Sequence, residues 1–142
     1  MEVREVKNKK ELEACFDLRY RVLREPWGQP RGSERDGFED KSYQLAAFDK
    51  GKVVGTARVT KVTARTCKVN RVAVEDSHRK KGIGTAMMAH IESTAKGWGC
   101  RRVVLNSREN AVKFYEKLGY AKIRETERLF GIIRHFRMEK RI

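Results

Sequence analysis

Apolar and charged side chains alternate around Val3 and Val6, which predicts an edge strand over residues 2–7. The period changes over residues 9–24. There Leu12, Cys15, Phe16, Leu18, Tyr20, Val22 and Leu23 fit a helix, with Asn8 placed to cap its start. Both prolines of the chain, Pro26 and Pro30, fall with Gly28 and Gly32 in residues 25–33, so this stretch predicts a loop. The acidic and polar residues 34–42 continue it. Residues 43–49 and 52–63 predict two strands joined at Asp49-Lys50-Gly51, a hairpin signal. Residues 66–74 predict the next strand, antiparallel because its connection is short. A glycine-rich turn follows, then a helix at 83–97, a strand at 101–105, a helix at 108–118, and strands at 120–128 and 132–140. Strands that give way to alternating helices and strands predict an α/β layered domain with a mixed sheet.

Composition narrows this reading. A chain of 142 residues can bury one ordinary core, and no Pro-, Ser- or Gly-rich linker divides it, so residues 1–142 are expected to form one domain. No apolar run approaches membrane-spanning length. Met1-Glu2-Val3-Arg4-Glu5 lacks the apolar core of a signal peptide, which makes the cytoplasm the expected compartment. Three scattered cysteines, Cys15, Cys67 and Cys100, predict neither a disulfide framework nor a metal site. Cys100 reads as a small, partly buried side chain.

The formal charge is +14, from 33 Lys and Arg against 19 Asp and Glu. Such a surplus attracts polyanions. Two readings stay open: an acidic partner, with nucleic acid or the ribosome among the candidates, or a basic and simply solvated surface. The basic stretches lack the interleaved aromatics of a stacking platform. No helix-turn-helix, zinc-finger or RNA-recognition motif is present.

The strongest candidate chemistry lies at the turn Arg79-Lys80-Lys81-Gly82-Ile83-Gly84, followed by Thr85. A turn that joins a strand to a helix start aims backbone N–H groups at one spot and adds the positive end of the helix dipole. Gly82 and Gly84 allow close approach of a ligand, and three cations add charge. The expectation is a pyrophosphate site. The dinucleotide fingerprint is excluded, because Met87 stands where its third small residue belongs. The mononucleotide loop is excluded because no Gly-Lys-Ser/Thr follows at its spacing.

Arg-x-x-Gly-x-Gly between a strand and a helix resembles the coenzyme A loop of the GNAT acetyltransferases. The segment Ala111-Val112-Lys113-Phe114-Tyr115-Glu116-Lys117-Leu118-Gly119-Tyr120 is similar to the second conserved segment of that family. The two occur in the family's order and separation. The ending Gly131-Ile132-Ile133-Arg134-His135-Phe136-Arg137-Met138 is more loosely similar to the close of some small stand-alone bacterial members, in which His and Met are one residue nearer. The resemblance runs from about residue 43 to the end. It implies a GNAT-like, mostly antiparallel central sheet of about six to seven strands with helices on both faces. It also implies that the fourth and fifth strands splay to admit an acyl chain.

The activity implied is transfer of an acetyl group from acetyl-CoA to an amine by direct attack in a ternary complex, without a metal. That chemistry needs a deprotonated amine, donors for an oxyanion, and a proton for the leaving thiolate. The resemblance assigns the last role to Tyr115; the aromatic pair Phe114-Tyr115 also suits packing. It assigns pantetheine and oxyanion contacts to the backbone of Val72, Ala73 and Val74. Arg79, Lys80, Lys81, Gly82, Ile83, Gly84 and Thr85 would hold the pyrophosphate. Where many members carry a coenzyme-binding Asn, this chain has Arg108, so Asn110 or Asn106 is expected to take that contact, unless Arg108 itself meets an anion.

The base is less defined. Val69, Asn70 and Arg71 offer no carboxylate on the strand before the turn. Glu34, Asp36, Glu39 and Asp40 of the acidic loop are the substitutes, with Glu39 the candidate, and a water chain is the alternative; otherwise they are solvated charges. Glu75 and Asp76 read as a turn. His78 suits a phosphate contact or a surface turn, and His135 a substrate contact or a hydrogen-bonded sheet position. Trp27 and Phe38 suit a pocket wall or a loop anchor. The competing functions are a non-catalytic acyl-CoA-binding module and a basic nucleic-acid-associated protein. A monomer and a homodimer fit the sequence equally.

Overall fold

The computed structural model describes residues 1–142. The regular elements are β1 (Glu2–Glu5), α1 (Lys9–Leu23), β2 (Tyr43–Asp49), β3 (Lys52–Lys61), β4 (Thr66–Val74), α2 (Ile83–Gly97), β5 (Arg102–Arg108), α3 (Val112–Lys117), β6 (Ala121–Leu129) and β7 (Ile133–Arg141). The strands form a seven-stranded sheet in the order β1-β2-β3-β4-β5-β7-β6. The pairs β1–β2, β2–β3, β5–β7 and β6–β7 are antiparallel, and β4–β5 is parallel. The mixed, mostly antiparallel α/β architecture expected from the sequence is present. Cα packing divides the chain into two compact units, residues 1–60 with 71–91, and residues 61–70 with 92–142.

In the first unit, α1 starts where the sequence predicts. The Asn8 side chain accepts from the Glu11 N–H at 2.9 Å, and the Glu11 carboxylate accepts from the Lys7 N–H at 2.8 Å. The first bond satisfies a donor that a helix start leaves free, and the second ties down the residue that leads into the cap. The helix buries Cys15 and Leu18 against Ala46, Phe48, Val53 and Ala73, with Val6, Ala14, Val22 and Leu23 around them. The same stripe contains a charged residue: Arg19 is fully buried. Gly55 on β3 lets α2 approach closely. A Cβ there would stand 2.9 Å from Ile83 Cγ2 and 3.1 Å from Met87 Sδ.

In the second unit, Val103, Val104 and Leu105 of β5 are all buried, as a central strand requires. The parallel ladder runs from Thr66↔Arg102 to Val69↔Leu105. That pairing overturns one expectation: Cys67 and Cys100 form a disulfide. The two residues are 33 apart in sequence, yet the β4–β5 ladder sets Cys67 opposite Val103, beside the segment that enters β5. Their Cα atoms are 6.4 Å apart, within bonding range. Cys15 is free and buried. The helix expected at 108–118 is shorter, because Glu109–Ala111 forms a 3-10 turn ahead of α3. β6 is exposed along nearly its whole length, as the last strand of the sheet.

Candidate functional site

The basic turn lies wholly within the first unit and follows from a local break in β4. Arg71 has φ 56°, a left-handed conformation rare for a residue with a side chain. Beyond it, Val72 and Val74 are half-buried and Ala73 is buried. The strand ends where the Glu75 N–H donates to Val54 O at 2.8 Å. Glu75 is more than a turn residue. Its two carboxylate oxygens accept from Arg21 of α1 at 2.8 and 3.0 Å, and that pairing holds its carboxyl below the usual range. A 3-10 turn at Asp76–His78 follows. His78 is fixed by Asp49 at 2.9 Å and Ser77 at 2.8 Å, and Asp49 is held below the usual carboxylate range chiefly by His78.

Lys80 then adopts φ 62° and Gly82 φ 80°. Left-handed residues at alternate positions turn successive N–H groups to one side, the geometry of an anion-binding nest. Helix α2 begins directly after, with Ala86 N–H donating to Gly82 O at 3.0 Å. The N–H groups of Ile83, Gly84 and Thr85 therefore have no partner within the helix. A Cβ built on Gly82 meets nothing within 4 Å, so there is open space beside the turn. Arg79, Lys80 and Lys81 are exposed around it, with Arg79 also 3.1 Å from Asp76. Unpaired helix-start N–H groups, two left-handed residues and three exposed cations thus meet in one segment, a combination that suits an anion.

The acidic loop, residues 25–42, departs from its expected role as a set of solvated charges. Glu39 accepts from four donors: Arg19 Nη1 at 3.4 Å, Arg58 Nη1 at 2.7 Å, Gln44 Nε2 at 3.1 Å and the Asp36 N–H at 3.1 Å. A carboxylate offers about four lone-pair sites, so none remains for an incoming ammonium. Asp36 takes Arg58 bidentately at 2.7 and 2.9 Å, which lowers its pKa. Arg71 Nη2 adds a contact to Asp36 at 3.4 Å, and Arg71 Nε donates to Glu34 O at 3.1 Å. Glu34 is buried; one oxygen accepts from the Gly32 N–H at 2.9 Å and the other has no hydrogen bond. Asp40 is exposed, as are Trp27 and Phe38.

Arg19 holds this network from below through Gln44 Oε1 at 2.7 Å and Thr56 Oγ1 at 2.9 Å. Burial pushes its guanidinium down to about 10. Sequence reading passed over Arg19 and Arg58. The signal for Arg19 was its place in the helical stripe, between Phe16 and Leu23, where an apolar residue is due.

The second unit holds the other predicted residues. Tyr115 is buried, and its ring packs edge-on against Phe114 and Tyr120 at centroid distances of 5.0 and 5.8 Å. Burial pushes its phenol well above the ordinary value. Asn110 is exposed in the 3-10 turn before α3. Asn106 is half-buried, and its Oδ1 is buried without a partner. His135 is buried on β7, its Nδ1 3.1 Å from Ile133 O, which is the sheet role rather than a free imidazole.

Comparison with known proteins agrees with this architecture. The profile of the acetyltransferase (GNAT) family matches residues 12–120. The uncharacterised N-acetyltransferase YjcF of Bacillus subtilis is 33% identical over 134 residues, covering 94% of this chain and 95% of the relative. An aminoglycoside 6′-N-acetyltransferase complexed with coenzyme A superposes with a TM-score of 0.83 at 20% identity, over 99% of this chain and 97% of the other. ElaA of Escherichia coli gives a TM-score of 0.84 at 19% identity, with 98% of each chain covered.

Proposed function

Because the chain belongs to the GNAT acetyltransferase family, we propose that it transfers an acetyl group from acetyl-CoA to an amine, by direct attack with both substrates bound. The observation that carries this reading is the turn at Arg79–Thr85. Its left-handed Lys80 and Gly82 and the open helix start fit the pyrophosphate of the coenzyme. Coenzyme A is also the ligand of the aminoglycoside enzyme that shares the fold.

Roles follow from chemistry. The backbone of Val72, Ala73 and Val74 pairs with the pantetheine amides and offers an N–H to the developing oxyanion. The amine nitrogen bonds to the acetyl carbon, and the carbon–sulfur bond breaks. Tyr115 gives its proton to the departing sulfur; burial keeps this phenol protonated at neutral pH. Asn110 contacts the coenzyme. Glu39, the base candidate from sequence, is fully engaged by its four donors, so it anchors the acceptor loop instead. The ammonium proton leaves to water before attack, and the second proton that nitrogen loses as the amide forms restores the Tyr115 phenol.

The test is release of free coenzyme A thiol on mixing the protein with acetyl-CoA and a panel of primary amines. Acceptor-dependent thiol release is expected. Tight coenzyme binding without turnover on any amine would contradict catalysis and identify an acyl-CoA-binding module.

A further inference from the structure

The second unit carries a concentration of positive charge that the proposed reaction does not use. Directly opposed residues in a ladder point to the same face of a sheet. The registers Thr66↔Arg102↔Arg141, Lys68↔Val104↔Glu139 and Asn106↔Arg137↔Arg124 therefore line one face of β4, β5, β7 and β6. Side-chain contacts agree. Arg102 Nη2 reaches Thr66 Oγ1 at 3.4 Å, and Glu139 is shared by Arg102 at 3.7 Å and Arg137 at 3.3 Å. The opposite face presents Cys67, Val69, Val103, Leu105 and Met138, all buried; on the polar face Thr66 and Val104 are buried too, and its exposed positions are Arg102, Arg124 and Arg141. The polar face sets Arg102, Arg124, Arg137, Arg141 and Lys68 against the single carboxylate of Glu139.

Two of these registers oppose like charges, Arg102 to Arg141 and Arg124 to Arg137. Such cross-strand pairs destabilise a sheet. Arg102, Arg124 and Arg141 are exposed, and Glu139 is the carboxylate that pairs with this set, through Arg102 and Arg137. Like charges kept at two registers on either side of Glu139 leave Arg102, Arg124 and Arg141 exposed to an external anion. Four of the five cations are arginine, whose planar fork suits phosphate.

We propose that this sheet face docks the phosphate backbone of duplex nucleic acid, without reading bases. The patch spans three strand gaps, about 14 Å, and four residues along a strand, about 14 Å. None of its residues is aromatic, which disfavours a single-stranded ligand held by stacking. A chain of pI about 10.1 that sets four arginines and a lysine on one sheet face has the electrostatic footprint of a nucleic-acid binder. The turn at Arg79–Thr85 lies in the other unit and shares no residue with the patch.

The experiment is fluorescence anisotropy of a labelled duplex with the full chain, between about 50 and 200 mM salt. The variant Arg102→Gln/Arg124→Gln/Arg141→Gln removes three exposed contacts. Its affinity at low salt should fall by tenfold or more, and its salt slope by about 2–3. Its melting temperature should stay level or rise, since both like-charge pairs are relieved. Thiol release with acetyl-CoA provides a separate readout of the proposed reaction. A folded triple variant that binds duplex like the parent overturns the proposal. So does an equal loss in Lys7→Gln/Lys9→Gln/Lys10→Gln, which removes the same charge elsewhere, or competition by polyglutamate as strong as by unlabelled duplex, which points to an acidic polypeptide.

Discussion

Lys80 holds a left-handed backbone that costs a residue with a side chain roughly 1–3 kcal/mol, and it does so two positions before a glycine that adopts the same region freely. Strain kept beside a helix start fits a ligand-binding turn. At Tyr115 packing and chemistry coincide, because one buried ring supports Phe114 and Tyr120 and carries a protonated phenol. The substitution Tyr115→Phe separates them. Turnover should fall by about 10²-fold while coenzyme affinity stays within twofold, as steady-state kinetics and calorimetry would show. Equal losses in both would assign Tyr115 to packing. The turn before α2 and the aromatic pair at Phe114-Tyr115 could be located from sequence because their signals are local. The engagement of Glu39 was not, since it depends on Arg58 and Arg19, 19 and 20 residues away.

Helix α2 sets the direction of the candidate phosphate site, and Gly55 sets how α2 lies on β3. In Gly55→Ala the new Cβ would press on Ile83 and Met87 in the first turns of the helix. Overpacking should cost about 1–3 kcal/mol in urea unfolding, and acetyl-CoA affinity should drop with it as the helix start shifts. Lost stability with unchanged affinity would detach the helix start from coenzyme binding. The disulfide acts at the same scale, closing a loop of 33 residues that contains most of β4, the basic turn and α2. Reduction should lower unfolding free energy by about 3–4 kcal/mol, and Cys67→Ser should match the reduced protein. An unchanged denaturation midpoint in reductant would mean the bond adds nothing. Most element boundaries were readable from period and capping: Asn8, the Asp49–Gly51 turn and the start of α2 stand where expected. The disulfide was not, because odd scattered cysteines carry no pairing signal until a parallel ladder joins distant strands.

Across the whole molecule, the mixed sheet followed from the order of elements, and the family from two motifs at the right separation. The charge of +14 was visible in composition, but the alignment of five cations on one sheet face was not, because cross-strand register is set by pairings that sequence period does not fix. The central claim is that the basic turn binds the coenzyme, and calorimetric titration of acetyl-CoA into the parent and Gly82→Glu tests it most directly. The parent should bind with an affinity that survives increased salt. Gly82→Glu should remain folded, because the new side chain points into open space, while its charge and its strained backbone abolish binding. Parent-like affinity in a folded Gly82→Glu protein would contradict the account.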